Sequence, residues 1–226
     1  MLKLILANKN YSSWSMRAWL FLKESGLDFE EKVIGLFTEQ WNKEIRNFNP
    51  IGKAPALVLG DGTRIWDSLA IIGYLQQTDP KAMQFPDDPK TRALAWSLTA
   101  EMHSGFLGIR NQLPMNLKQR VDCPNLDPDT ETQIQRIKQI WTDCLDTFGG
   151  PWLLGDFSVV DIMYAPVVTR FHTYKIEVTK TQQDYMDRIR QRASVQEWTE
   201  AALVETETLY YFDNLLPIEE APITPG

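Results

Sequence analysis

The spacing of apolar residues divides the chain into two parts with different periods. Through residue 78 the apolar runs are short and alternate between strand and helix spacing. Residues 2–7 form a compact apolar run bounded by polar positions, which predicts a buried strand. Residues 15–25 predict a helix: Met16, Trp19 and Leu20, with Lys23, share one face, and Gly26 is a stop signal. Residues 28–34 predict a second strand. Residues 39–48 are polar and weakly helical, ending at Asn49-Pro50, where a helix should stop. Residues 56–59 and 64–66 flank Gly60-Asp61-Gly62-Thr63, a tight-turn sequence joining antiparallel strands. Asp67-Ser68 then caps an apolar helix carrying Leu69, Ile71, Ile72, Tyr74 and Leu75. The order is β-α-β-α-β-β-α, a right-handed parallel βαβ unit followed by a hairpin and a helix. That is the thioredoxin-like order.

Residues 79–90, with Asp79-Pro80 and Phe85-Pro86-Asp87-Asp88-Pro89, read as a linker. Beyond it the period is helical. Leu94, Leu98, Met102, Phe106, Ile109 and Leu113 make one long stripe, ended or kinked by Pro114. Ile134, Ile137, Trp141, Leu145 and Phe148 make a second, preceded by Asp127, Asp129 and Thr130 and closed by Gly149-Gly150. Ser158-Val159-Val160-Asp161 matches a capping box with Asp in place of Glu and opens a third helix. Further helices are expected over 182–193 and 194–209, and an extended tail after them. The predicted organisation is an α/β thioredoxin-like domain over 1–78, a linker over 79–90, an all-α domain over 91–212 and a tail over 213–226.

Composition narrows the function classes. A hydrophobic fraction of 43% and a charged fraction of 23% describe an ordinary globular chain. The net charge of −7 argues against nucleic acid and anionic membranes, although a few local donors can still bind a small anion. Two cysteines, Cys123 and Cys144, have neither disulfide-framework nor zinc spacing, and no metal is expected. No signal peptide is read at the N-terminus and no run approaches the ~18 apolar residues of a membrane span, so a cytoplasmic protein is expected.

Three segments carry candidate chemistry. Tyr11-Ser12-Ser13-Trp14-Ser15-Met16-Arg17 lies between the first strand and first helix, where hydroxyls meet a helix N-terminus that favours negative charge. A thiolate there gains a hydroxyl hydrogen bond and the helix end, but serines in that place also serve simply as caps. Lys53-Ala54-Pro55 precedes a strand. A cis peptide there would offer the Ala54 backbone to an extended peptide, and an ordinary strand-opening proline is the alternative. Asp67-Ser68, at a helix start, suits a ligand carboxylate and ammonium, or is only a cap.

Taken together and in this order, the segments resemble the cytosolic glutathione transferases, through about residue 212. Ser12, Ser13 and Arg17 are similar to the S-S-C-x-x-R signature of the zeta class and its bacterial relatives, with Trp14 at the cysteine position. The resemblance implies glutathione as co-substrate. Lys53, Ala54, Pro55, Asp67, Ser68 and Arg17 would bind the peptide, and a hydroxyl from Ser12, Ser13 or Tyr11 would stabilise its thiolate. Ser12 aligns with the first serine of the signature. Tyr11 stays a competitor, because other classes use a tyrosine near the end of the first strand. Without a cysteine in this loop, disulfide exchange lacks its nucleophile.

The implied activity is conjugation of glutathione to hydrophobic electrophiles, with peroxide reduction as a side activity. Trp14, His103 and Arg110 are electrophile-site candidates; each is also readable as a packing residue. The nearest alternatives are a maleylacetoacetate-type isomerase or a dehalogenase. The substrate-carboxylate arginine of zeta enzymes falls at Thr173 here, with Arg170 nearly one turn earlier, which weakens the isomerase reading. A non-catalytic interaction module would show degraded site segments. A homodimer is expected by the same resemblance.

Overall fold

Leu4, Ile5 and Leu6 are wholly buried, as a strand covered on both faces requires. They lie in β1 (Leu2–Leu6), which pairs in parallel with β2 (Phe29–Val33) and antiparallel with β3 (Ala56–Val58). β3 pairs antiparallel with β4 (Arg64–Trp66), giving the order β2-β1-β3-β4. β2 is an edge strand, and its Glu30, Glu31 and Lys32 discourage pairing with another chain. The computed structural model describes residues 1–214. These fall into two compact units: Met1–Met83 with the residues from Glu197 onward, and Gln84–Gln196.

In the first unit, α1 (Ser13–Glu24) buries far more than one face. Met16, Trp19 and Leu20 are inside as expected, and so are Ser15, Arg17, Ala18, Phe21 and Leu22. Lys23 is exposed and pairs with Glu197. α2 (Glu39–Glu44) runs into a 3₁₀ turn over Ile45–Asn47, and α3 (Ser68–Thr78) starts from the Asp67 cap. One face of the sheet holds Ile5, Ala7, Ala56, Ile34, Trp41 and Ile45 in a single apolar cluster.

The second unit is helical. α4 (Pro89–Ser104) begins on an Asp88 cap, and α5 (Leu107–Gln112) follows it. The expected single stripe through residue 113 is therefore two helices. Gly105 follows the first in an extended conformation that needs glycine, because a Cβ there would lie 2.7 Å from the Glu101 carbonyl oxygen. Phe106 then takes a left-handed conformation at φ 60°. Leu94, placed in the stripe by its spacing, is on the outside. α6 (Pro128–Phe148) ends at Gly149, as expected, in a left-handed conformation, and of the three polar residues set before its stripe Asp127 is the cap. α7 (Val159–Thr173) carries the complete Ser158/Asp161 capping box, and α8 (Lys180–Gln191) has a second box from Thr179 and Gln182.

α9 (Ala193–Leu203) stops six residues short of the expected end. Val204, Thr206 and Thr208 are β-branched and lose rotamer freedom in a helix. The segment after Leu203 leads instead into α10 (Tyr210–Asp213) and packs in the first unit. Residues from Glu197 on pack in the compact unit that holds the sheet. The rest of the predicted tail, residues 215–226, lies outside the described residues. Among the described residues no helix is long and apolar enough to cross a membrane.

Candidate functional site

Strand register brings the three chemical segments to one end of the sheet. Ile5 pairs with Ala56, and Ala56 with Trp66. The loop leaving β1, the Ala54-Pro55 dipeptide entering β3 and the Asp67-Ser68 dipeptide leaving β4 therefore emerge side by side. α1 and α3 both start at that end, with their N-termini there.

Ser12 is the N-cap of α1, and its hydroxyl oxygen accepts from the Ser15 N–H at 3.3 Å. The Ser12 and Ser15 hydroxyl oxygens are hydrogen-bonded at 2.8 Å, and Ser15 Oγ also accepts from the Ala7 N–H at 3.0 Å. Ser15 thus ties the end of β1 to the start of α1, a role its capping reading did not separate from that of Ser12. Ser13 is the first helical residue, and its carbonyl accepts from Arg17. Arg17 is wholly buried, and its guanidinium carbon lies 4.7 Å from the Trp14 ring centroid. Trp14 and Arg17 are stacking partners here.

Tyr11 points into a different set of contacts. Its hydroxyl donates to the Asp213 carboxylate at 2.9 Å and accepts from the Leu209 N–H at 3.2 Å. Burial pushes its pKa up to about 12, with the Leu209 N–H opposing and Asp213 reinforcing the rise.

The Ala54–Pro55 peptide bond is cis. Asn49 shapes its approach: it is buried, its Nδ2 donates to the Lys53 carbonyl at 2.6 Å, and its Oδ1 accepts from the Ile51 N–H. The sequence marked Asn49 only as a helix stop, and a buried turn-former two to four residues from its partners was readable there. Lys53 itself is exposed.

Asp67 holds φ 78°, a backbone state that costs a non-glycine residue about 1–3 kcal/mol and clusters at functional sites. Its carboxylate caps α3 through the Leu69 N–H at 2.8 Å. The Ser68 hydroxyl beside it is buried, with no hydrogen-bond partner among the described residues. A buried hydroxyl at a helix N-terminus without a partner is suited to a ligand's anionic group.

His103 and Arg110 belong to the other unit. His103 is half-buried in the last turn of α4. Arg110 donates to the Gly105 and Met102 carbonyls, bracing the break between α4 and α5, and burial lowers its pKa to about 10. Arg170 is buried too, donating to the Leu113 carbonyl at 2.9 Å and the Pro166 carbonyl at 3.1 Å. Thr173 donates to the Asn116 carbonyl at 2.9 Å. Among the described residues no group of three His, Cys, Asp or Glu side chains is arranged to hold a metal ion.

Comparison with known proteins matches the same segments. The family model for the glutathione S-transferase N-terminal domain covers residues 11–78, and that for the C-terminal domain residues 127–201. A probable maleylacetoacetate isomerase of Caenorhabditis elegans is 37% identical over 168 residues, spanning 74% of this chain and 77% of the relative. A maleylacetoacetate isomerase of Rattus norvegicus is 30% identical over 171 residues, spanning 74% and 76%. Among solved structures, a glutathione transferase homolog from Burkholderia gl BGR1 with bound glutathione shares the fold. Its TM-score is 0.69 at 24% identity, over 89% of this chain and 97% of that one.

Proposed function

The chain belongs to the glutathione S-transferase family, and we propose that it joins the glutathione thiolate to hydrophobic electrophiles with Ser12 as the hydroxyl that stabilises the thiolate. One observation carries this reading. A capped hydroxyl, a cis Ala54–Pro55 turn and a buried, unpartnered Ser68 hydroxyl emerge from adjacent strands at one end of one sheet. An extended tripeptide laid along that end meets the Ala54 backbone at its middle and the Asp67-Ser68 corner at its anionic γ-glutamyl end, and its thiol comes to the N-terminus of α1.

Among the hydroxyls, Ser12 is favoured by its neighbours. Ser12 Oγ accepts from the Ser15 N–H and its hydroxyl donates to Ser15 Oγ, so turning that proton to a bound sulfur lets the Ser15 hydroxyl donate to Ser12 in return. A hydroxyl that accepts hydrogen bonds is polarised into a stronger donor. Tyr11 has its proton on Asp213.

The test is the thiolate absorbance of bound glutathione as a function of pH. Ser12→Ala is expected to raise the bound thiol pKa by about one unit and lower kcat about tenfold, while Tyr11→Phe leaves the thiol pKa near wild type. An unchanged titration in Ser12→Ala removes Ser12 from the role. Absence of glutathione binding by calorimetry at millimolar concentration removes the whole reading.

The relatives named maleylacetoacetate isomerase favour a second reading, glutathione-dependent isomerisation. Against it, Thr173 and Arg170 spend their polar groups on backbone carbonyls of their own unit. Side-by-side turnover of maleylacetoacetate and chlorodinitrobenzene separates the two. A cytoplasmic homodimer is part of the proposal, supported by the family resemblance; sedimentation should give twice the 26.1 kDa of the chain.

A further inference from the structure

The loop that carries Ser12 is gripped residue by residue from the far end of the chain. The N–H groups of Lys9 and Asn10 both donate to the Glu205 carboxylate, at 2.6 and 3.0 Å, one to each oxygen. The Lys9 carbonyl accepts from the Trp198 indole N–H at 3.0 Å. Tyr11 is held at its hydroxyl by Leu209 and Asp213, and its ring lies 5.5 Å from that of Phe212. The next residue is Ser12, whose N–H donates to the Asn8 carbonyl at 2.9 Å across the same turn.

Two successive amides aimed at one carboxylate form an anion nest. In this chain the nest is already filled, by a side chain about two hundred positions away in sequence. Lys9 and Asn10 are buried, so their amides have no water to fall back on if the carboxylate leaves. The bonds are charge-assisted and fix two consecutive peptide planes, which sets the path of the chain into the α1 cap.

We infer that Glu205 is a positioning residue for the reaction: its carboxylate holds the Lys9–Asn10 backbone so that the Ser12 hydroxyl stays aimed at the glutathione sulfur. This rests on Ser12 acting on the thiolate as proposed above. Hydroxyl geometry matters at the sub-ångström level for such a contact. The peptide-binding corner at Ala54, Pro55, Asp67 and Ser68 has no part in the clasp, so binding and activation separate on loosening it.

The experiment compares wild type, Glu205→Gln and Glu205→Asp in the full chain. Glutamine replaces one acceptor by an NH₂ group facing an N–H donor; aspartate keeps the charge on a shorter arm. Amide hydrogen exchange at Lys9 and Asn10, measured without glutathione, is expected to quicken at least about tenfold in Glu205→Gln, since one lost hydrogen bond is about a factor of ten. In the same variant the KM for glutathione is expected to stay within about twofold, kcat to fall about tenfold, and the bound thiol pKa to rise about one unit. Glu205→Asp should recover part of both changes.

Faster exchange at Lys9 and Asn10 with wild-type kcat and thiol pKa would overturn the inference and leave Glu205 a purely structural clasp. Should Glu205→Gln fail to fold, the Glu205→Asp comparison decides by the same two readouts. Failure of the transferase reading looks different: wild type itself then shows no bound thiolate, whatever the variants do.

Discussion

Replacing Asp161 by alanine removes the carboxylate around which the start of α7 is built. That carboxylate is wholly buried and accepts from the Leu153 N–H at 3.1 Å, the Ser158 N–H at 2.9 Å and the Ser158 hydroxyl at 3.0 Å. Alanine leaves two buried N–H groups without an acceptor, at about 1–3 kcal/mol each. Against that loss stands the cost of burying the charge. Burial pushes the Asp161 pKa up to about 6 from 3.8, outweighing the hydrogen-bond donors of Leu153, Ser158 and Tyr185, which pull it down. That rise is worth about 3 kcal/mol once both states are ionised.

The sign follows from proton counts. Between about pH 4 and 6 the folded carboxyl keeps its proton while the unfolded one has lost it, so the native state binds more protons and raising the pH favours unfolding. The contribution is fully present below the unfolded pKa and is lost as the pH rises through the folded one. Asp161→Ala should therefore be the less stable protein by about 2–6 kcal/mol near pH 4, and the gap should shrink by about 3 kcal/mol by pH 7. Urea unfolding followed by tryptophan fluorescence, run on both proteins across that range, measures the gap directly, and the other titrating groups cancel in the difference. A gap that widens with pH would refute the reasoning, because it would mean that the donors outweigh burial and hold the folded carboxyl below its ordinary range.

Two further outcomes test the packing. Gly108→Ala puts a Cβ 2.2 Å from Thr130 Oγ1, so it should cost about 1–3 kcal/mol of overpacking, and adding Thr130→Ala should recover much of it in a thermal-unfolding double-mutant cycle. Trp198→Ala empties a wholly buried site beside Trp19, whose ring centroid lies 5.3 Å away, and should lower stability by about 3–5 kcal/mol in urea; a loss below about 1 kcal/mol would contradict the packing described.

What was legible in the sequence is what acts over three or four residues. The caps at Asp67 and Ser158, the stop at Gly149 and the turn at Gly60–Thr63 join partners within one helical or hairpin turn, and each stands where its spacing put it. The three candidate segments stood out for the same reason, each being a short word at the end of a predictable element. The error over residues 94–113 was also local. Phe106 keeps the apolar period, so periodicity alone runs through the break, and only the backbone, extended at Gly105 and left-handed at Phe106, shows where the helix ends.

The choice between Tyr11 and Ser12 was not legible, and the reason is physical. The two hydroxyls are neighbours in sequence and equally placed by any local rule. What separates them is where their partners come from: Ser12 is bonded to Ser15, three positions on, whereas Tyr11 is bonded to Leu209 and Asp213, across 198 and 202 positions. A contact of that separation leaves no periodic or capping trace in either segment. Its only sequence counterpart was the stretch from Val204 to Leu209, where β-branched residues interrupt an otherwise helical run. That interruption frees the Leu209 N–H to meet the tyrosine and lets Glu205 reach the amides of Lys9 and Asn10. The residues that end α9 early are thus the same ones that engage the Tyr11 hydroxyl, whereas the Ser12 hydroxyl keeps its partner within its own turn.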